Sequence, residues 1–141
     1  HNIMIGLIEV FSFLLIRNYC GGYHCKSSMV CLIFSAIILI VMAWLSSFIK
    51  PSLYMFIALI IADMELIIKG PVISVNHSVS DSEKKYYHRC LVGILAVFNI
   101  IIIAATVLHL YRTASCISIV IIFCFISHIA CMTEKNRKLY Y

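Results

Sequence analysis

Residues 91–110 read LVGILAVFNIIIIAATVLHL and residues 114–132 read ASCISIVIIFCFISHIACM, two uncharged stretches that decide the fold. A helix needs roughly 20 apolar residues to cross a bilayer core of about 30 Å, so each stretch is long enough to span a membrane. Because only Tyr111, Arg112 and Thr113 separate them, we expect two antiparallel neighbouring helices with a short turn at these three residues.

Three further apolar stretches extend this pattern toward the N-terminus. Residues 29–49 are uncharged, and residues 53–68 carry Asp63 and Glu65 near their end. Residues 3–16 are too few to cross a bilayer alone, so they are either the end of a longer helix or an interfacial helix. We therefore predict an all-α polytopic membrane helical bundle, with four spans plus a partial or interfacial N-terminal helix.

The composition agrees with one membrane-embedded domain over residues 1–141. Hydrophobic residues make up 63% of the chain and charged residues 12%. Soluble domains average about 25% charged residues, so a water-soluble domain is excluded. The sequence has too few basic clusters with interleaved aromatics for a nucleic-acid binder, and it has no metal-ligand spacing and no phosphate-binding glycine loop. We accordingly expect no nucleic-acid partner, no metal and no cofactor.

Basic residues predict the orientation, because lysine and arginine near span ends are retained in the cytoplasm. Nine of the eleven lie on one side of the predicted spans and two on the other. The loop 17–28, the loop 70–89 and the C-terminal tail should therefore face the cytoplasm. In the second loop, Ser80 and Glu83 have the spacing of a capping box, which predicts a helix start there. The nine are Arg17, Lys26, Lys69, Lys84, Lys85, Arg89, Lys135, Arg137 and Lys138, and the two are Lys50 and Arg112.

The segment RNYCGGYHCKSSMVC, which ends at Cys31, concentrates reactive side chains before a span. Near the start of that helix, the helix dipole and Lys26 would lower the pKa of the Cys31 thiol from about 8.5. His24 is a candidate base, but in a continuous helix it would lie about 10.5 Å away along the axis. Gly21 and Gly22 allow the bend that brings the two side chains together.

Other interpretations of these residues are open. A cysteine in a membrane helix is often a packing residue, a loop histidine is often solvated, and Arg17 alone is typical of a topology anchor. The seven cysteines suggest a thiol redox protein, but there is no CxxC pair and the predicted cytoplasmic side is reducing.

Two further alternatives come from polar residues within the apolar stretches. His109 and His128 suggest haem ligation, but His128 lies about 21 Å deeper along its helix, so one iron cannot bind both. Hydrogen bonding within or beside the helices is the simpler interpretation. A non-enzymatic transporter or scaffold is the stronger alternative, since four polar residues mark either a pathway or interhelical contacts. These residues are Glu9, Asp63, Glu65 and Asn99.

Taken together, Arg17, the run Gly21-Gly22-Tyr23-His24 and Cys31 resemble the signature of the accessory gene regulator B family. These membrane peptidases process quorum-sensing peptide precursors in Gram-positive bacteria. The resemblance extends to the number and order of spans and to a basic middle loop. Because family members usually begin further upstream, we expect this chain to lack part of the N-terminal region.

The resemblance implies a mechanism and a partner. Cys31 is the nucleophile and His24 the general base in a cysteine endopeptidase that cleaves the C-terminal part of a small amphipathic propeptide. The resulting thioester is then exchanged to a thiolactone or lactone, without a cofactor. Arg17, Gly21 and Gly22 would position the substrate or the loop.

Residues outside this loop have expected roles as well. Lys84, Lys85 and Arg89 would attract the acidic tail of the propeptide. Asp63 is a candidate to orient His24, although a buried polar contact explains this acid as well. Family resemblance points to a homodimer, and several small residues would permit close contacts between membrane helices. These small residues are Gly93, Ala96, Ala104 and Ala105.

Overall fold

The described part of the chain forms five helices and no strands, which confirms the all-α prediction there. The computed structural model describes residues 3–20, 28–71 and 80–139, with positions 28, 30–32 and 134–139 described by their backbone alone. The helices are α1 (Ile3–Cys20), α2 (Ser28–Phe48), α3 (Leu53–Lys69), α4 (Asp81–Val107) and α5 (Tyr111–Leu139).

Three of these helices are long and apolar enough to cross a membrane. They are α1, α4 and the part of α5 from Tyr111 to Thr133. Within α2, Ile33–Phe48 is a shorter apolar helix. The bounds of α2 and α3 lie within one residue of those predicted from the apolar runs. The predicted number of spans, four, stays a prediction.

The N-terminal helix is longer than the apolar run that predicted it. The run stops before Arg17, but α1 continues to Cys20 and so contains 18 residues. The charge fits into the helix because the Arg17 guanidinium carbon lies 5.4 Å from the centre of the Phe13 ring. A cation over an aromatic face is stabilised by the ring quadrupole. By length and composition, α1 therefore qualifies as a span rather than a partial helix.

The connection between α4 and α5 corrects a second prediction. The turn lies at Leu108–Leu110, three residues before the expected position, and Tyr111 already begins α5. The reason is His109, which adopts a left-handed backbone with φ of 59° and so ends α4. The predicted start of α4 is confirmed, since Ser80 and Glu83 form both hydrogen bonds of the capping box.

Helix α5 is the centre of the bundle and contacts each of the other four helices. Its residues 114–121 are all buried, as expected for a helix that is apolar around its whole circumference. Helices α1 and α5 run in the same direction. At one end the Cys116 thiol contacts Ile5 O at 3.9 Å, and further along the Phe13 and Phe123 rings lie 6.4 Å apart.

Candidate functional site

The predicted nucleophile lies at the start of α2. Cys31 is the fourth residue of that helix, which begins at Ser28, so its predicted place in the first turn or just beyond is confirmed for the backbone. The side chain of Cys31 and the residues Gly21, Gly22 and His24 lie outside the described residues. The pairing of Cys31 with His24 therefore stays a prediction.

Arg17 joins the end of α1 to the helix that carries Cys31. Its Nη1 donates a hydrogen bond of 2.5 Å to Ser35 Oγ. Ser35 follows Cys31 by four residues, so the two positions lie on the same face of α2, one turn apart. The predicted loop-positioning residue thus contacts the helix one turn beyond the predicted nucleophile. The partner Ser35 was not predicted, although its helical spacing from Cys31 was a usable signal.

A narrow crevice lies beside the Arg17 side chain, between α1, α2 and α5. Its volume is about 20 Å³, which is comparable with the space that one water molecule requires. Each of the three helices contributes one phenylalanine to its wall. The lining residues are Phe13, Arg17, Phe34, Ile38, Phe123, Cys124 and Ser127.

Asp63, the candidate for orienting His24, has a hydrogen-bond partner on a neighbouring helix. Asn99 Nδ2 donates to Asp63 Oδ2 at 2.8 Å and to Leu95 O at 2.9 Å, which links α3 to α4. The second carboxylate oxygen of Asp63 is buried without a hydrogen-bond partner among the described residues. This geometry favours the interhelical contact that was the alternative interpretation of Asp63.

Lys84 and Lys85 line a cleft. This cleft lies at the same end of the bundle as Arg17. The cleft has a volume of about 420 Å³ and lies between the end of α3 and the start of α4. It is called the basic cleft here, because four of its lining residues are lysine or arginine and one, Asp81, is acidic. The Tyr19 and Tyr87 rings, 6.0 Å apart, connect this part of α4 to the end of α1. The lining residues are Ile68, Lys69, Gly70, Pro71, Asp81, Lys84, Lys85, His88 and Arg89.

The floor of the basic cleft is fixed from below by α5. His128 is fully buried, and its Nε2 donates to Gly70 O at 2.9 Å. Gly70 ends α3 with φ of 66° and ψ of −171°, a backbone conformation found essentially only for glycine. A Cβ atom at this position would lie 3.1 Å from His88 Nδ1. Neither of these two histidine contacts was predicted from the sequence.

The two histidines of the haem alternative have separate partners. His128 is bonded to Gly70 O, whereas His109 Nδ1 lies 2.6 Å from the Tyr111 hydroxyl at the opposite end of the bundle. His109 thus forms the local hydrogen bond that the simpler interpretation predicted, whereas the hydrogen bond of His128 joins α5 to the end of α3. Among the described residues, no group of three or more His, Cys, Asp or Glu side chains has the arrangement of a metal site.

The four polar groups of the transporter alternative divide into two kinds. Asp63 is bonded to Asn99, and Glu65 forms an exposed ion pair with Lys69 at 2.7 Å. Glu9 is different, because it lines a cavity of about 160 Å³ between α1, α2 and the start of α5. The Cys116 thiol donates to Glu9 Oε2 at 3.7 Å, and Glu9 Oε1 has no hydrogen-bond partner among the described residues.

A comparison with models of known protein families covers all of the site positions described above. The family model described as accessory gene regulator B matches residues 1–128, which contain α1 to α4 and most of α5. No curated protein and no solved structure shows a significant match to the chain. This family takes part in quorum-sensing peptide processing.

Proposed function

We propose, from the premise that the chain belongs to the accessory gene regulator B family, that it is a multi-pass membrane cysteine endopeptidase. It cleaves the C-terminal part of a small amphipathic quorum-sensing propeptide at the cytoplasmic face and cyclises the remainder. The observation that carries this proposal is the family match over the whole segment from Arg17 to Cys31, supported by the Arg17–Ser35 bond one turn from Cys31.

The reaction needs a thiolate and a group that carries its proton. His24 removes the proton of the Cys31 thiol, and the sulfur attacks the carbonyl carbon of the scissile peptide bond. The C–N bond breaks, His24 returns the proton to the leaving amine, and a thioester remains on Cys31. A thiol within the propeptide attacks this thioester, so the thiolactone forms and Cys31 is released.

The second step, thioester exchange, depends on the position of the peptide thiol more than on a supply of free energy. Exchange of one thioester for another is close to neutral in free energy, so the enzyme must exclude water and hold the peptide thiol nearby. A site where α2 begins at the membrane edge supports both demands. Arg17, bonded to Ser35, positions the substrate or the loop together with the glycines Gly21 and Gly22. We also propose that Asp63 orients His24.

Lys84 and Lys85 attract the acidic tail of the propeptide toward the site. Both line the basic cleft, where four lysine or arginine residues outnumber a single acid. Such a field raises the rate of encounter with an anionic peptide. Reversal of both residues to glutamate should weaken propeptide binding, while Lys50→Glu with Arg112→Glu gives the same charge change at the other end. Equal binding by the two double variants would remove this role.

We also propose that the chain acts as a homodimer in the cell membrane of a Gram-positive bacterium. Three of the small residues on α4, namely Gly93, Ala96 and Ala104, face outward, and no atom lies within 4 Å of a Cβ placed at Gly93. Ala105 is buried inside the bundle and so does not belong to this surface. Small outward residues let the backbones of two membrane helices approach closely.

The decisive experiment traps the intermediate. Membranes containing the full chain are incubated with a candidate propeptide, and the protein is analysed by mass spectrometry for an adduct on Cys31 that hydroxylamine removes. Cys31→Ser should abolish this adduct. Cys90→Ser is a suitable control because Cys90 lies half-buried near the start of α4, outside the predicted site.

A transporter or scaffold remains the second candidate, favoured by the cavity beside Glu9. In that case no thioester would form on Cys31, and propeptide would cross the membrane uncleaved. Glu9→Gln separates the two functions further. A peptidase with its site at the start of α2 should keep its adduct, since Glu9 precedes Arg17 by eight residues of α1, which is about 12 Å of helix rise.

A further inference from the structure

The basic cleft has two levels along α4. Lys84 and Lys85 precede His88 and Arg89 by four residues, which is about 6 Å of helix rise. Arg89 in turn lies two residues before the uncharged stretch that begins at Leu91. The inner level therefore lies where charged sequence meets apolar sequence, the depth at which lipid head groups are found.

The opposite wall of the cleft shows the same change from charged to apolar. Lys69 is the last residue of α3 and lines the cleft together with Arg89. It directly precedes Gly70, which lies beside His88 of the inner level. Its neighbour Ile68 also lines the cleft and is 72% exposed. An apolar side chain with this exposure, beside a lysine at the end of an apolar helix, suits contact with lipid. A soluble anion would use the cations but leave Ile68 in water.

The cleft is formed before any ligand binds. His128 holds the carbonyl of Gly70 from below, and His88 packs against Gly70 from the side of α4. The volume of about 420 Å³ lies within the range of pockets that bind small ligands. A fixed floor and a surplus of cations reduce the ordering that a ligand must impose.

The geometry points to a binding site for the phosphodiester head group of an anionic phospholipid at the inner level of the basic cleft. The phosphate contacts Lys69 and Arg89, and the acyl chains descend along Ile68. Basic pockets between membrane helices at this level are suited to anionic head groups. The site is independent of peptidase chemistry and requires only that α3 and α4 lie in a membrane.

The test measures lipid binding to the full chain. The purified protein is titrated with phosphatidylglycerol or with phosphatidylcholine, and bound lipids are counted by native mass spectrometry. We expect preferential binding of phosphatidylglycerol. Lys69→Gln with Arg89→Gln should weaken the binding of phosphatidylglycerol about thirtyfold. The reason is that the double variant removes two cations, each of which contributes a similar amount to binding at an anionic membrane surface. Arg89→Lys keeps the charge and should retain most of the affinity.

The matched control is Lys50→Gln with Arg112→Gln, which removes two cations from the other end of the bundle. An equal loss of affinity in both double variants would overturn the proposal, because net charge alone would then explain the binding. Displacement of the lipid by water-soluble glycerophosphoglycerol at similar concentration would overturn it too, since the acyl chains would then contribute nothing. Displacement by an acidic peptide alone would assign the inner level to peptide instead of lipid.

Discussion

Buried polar groups have different kinds of partner in two regions of the bundle. Where α3 ends against α4 and α5, Asp63 is bonded to Asn99, and Gly70 O is bonded to His128. Where α1 and α5 begin, Glu9 has a thiol as its hydrogen-bond partner and lines a cavity. The first is called the closed region and the second the open region. An acid within an apolar stretch is thus a bonded contact between helices in one place, and in the other it is a buried group that lines a cavity.

Replacement of one glycine in each region by alanine should give the largest difference in stability between the two regions. In the closed region, Gly70→Ala forces a side chain into a backbone conformation of φ 66° and against His88. We expect the free energy of unfolding to fall by about 2 to 3 kcal/mol. In the open region, Gly6 has no atom within 4 Å of a placed Cβ. Because alanine favours helices, Gly6→Ala should raise stability by about 0.5 to 1 kcal/mol.

Unfolding of the purified protein in detergent, followed by circular dichroism, measures both glycine variants. Gly93→Ala serves as a second control, since its Cβ would also meet open space. A loss of stability for Gly6→Ala as large as that for Gly70→Ala would contradict the distinction between the two regions.

Removal of the partner of each acid should give the next largest difference. Asn99→Leu leaves the Asp63 carboxylate buried without its amide donor, so we expect a loss of about 1 to 2 kcal/mol. Cys116→Val removes the thiol donor of Glu9 at similar volume. That loss should stay below about 0.5 kcal/mol, because a thiol is a weak hydrogen-bond donor and lies 3.7 Å from the carboxylate oxygen. The same unfolding assay applies, and the reverse order would show that Glu9 is the more tightly held acid.

The smallest effect should come from the exposed ion pair of the closed region. Lys69→Gln removes the partner of Glu65 at the surface, where pairs one helical turn apart contribute about 0.3 to 0.5 kcal/mol. A drop in unfolding free energy well above this, measured at both low and high salt, would mean that the ion pair holds α3 in place. A small drop instead makes Lys69→Gln a clean variant for lipid binding.

The sequence predicted helices well where a single chain property determines them. The length of apolar runs located α2 and α3 within a residue, and the spacing of Ser80 and Glu83 located the start of α4. The same criterion placed the end of α1 too early, because counting charges cannot anticipate that an aromatic ring and a serine accommodate Arg17.

The contacts that build the candidate site were not predictable in the same way. Asp63 with Asn99, Arg17 with Ser35 and His128 with Gly70 each join two helices. Such pairs depend on helix rotation and depth, which a single sequence does not fix. The motif of Arg17, His24 and Cys31 pointed to the chemistry, and the family match supports that direction without testing the dyad.

The shared direction of α1 and α5 has a topographical consequence. Since each contact between them advances along both helices together, residue 3 and residue 139 are at opposite ends of the bundle. In an intact vesicle, a membrane-impermeant reagent would reach a tag at one of these positions and spare the other. The lipid barrier itself would therefore separate the beginning of the described chain from its end.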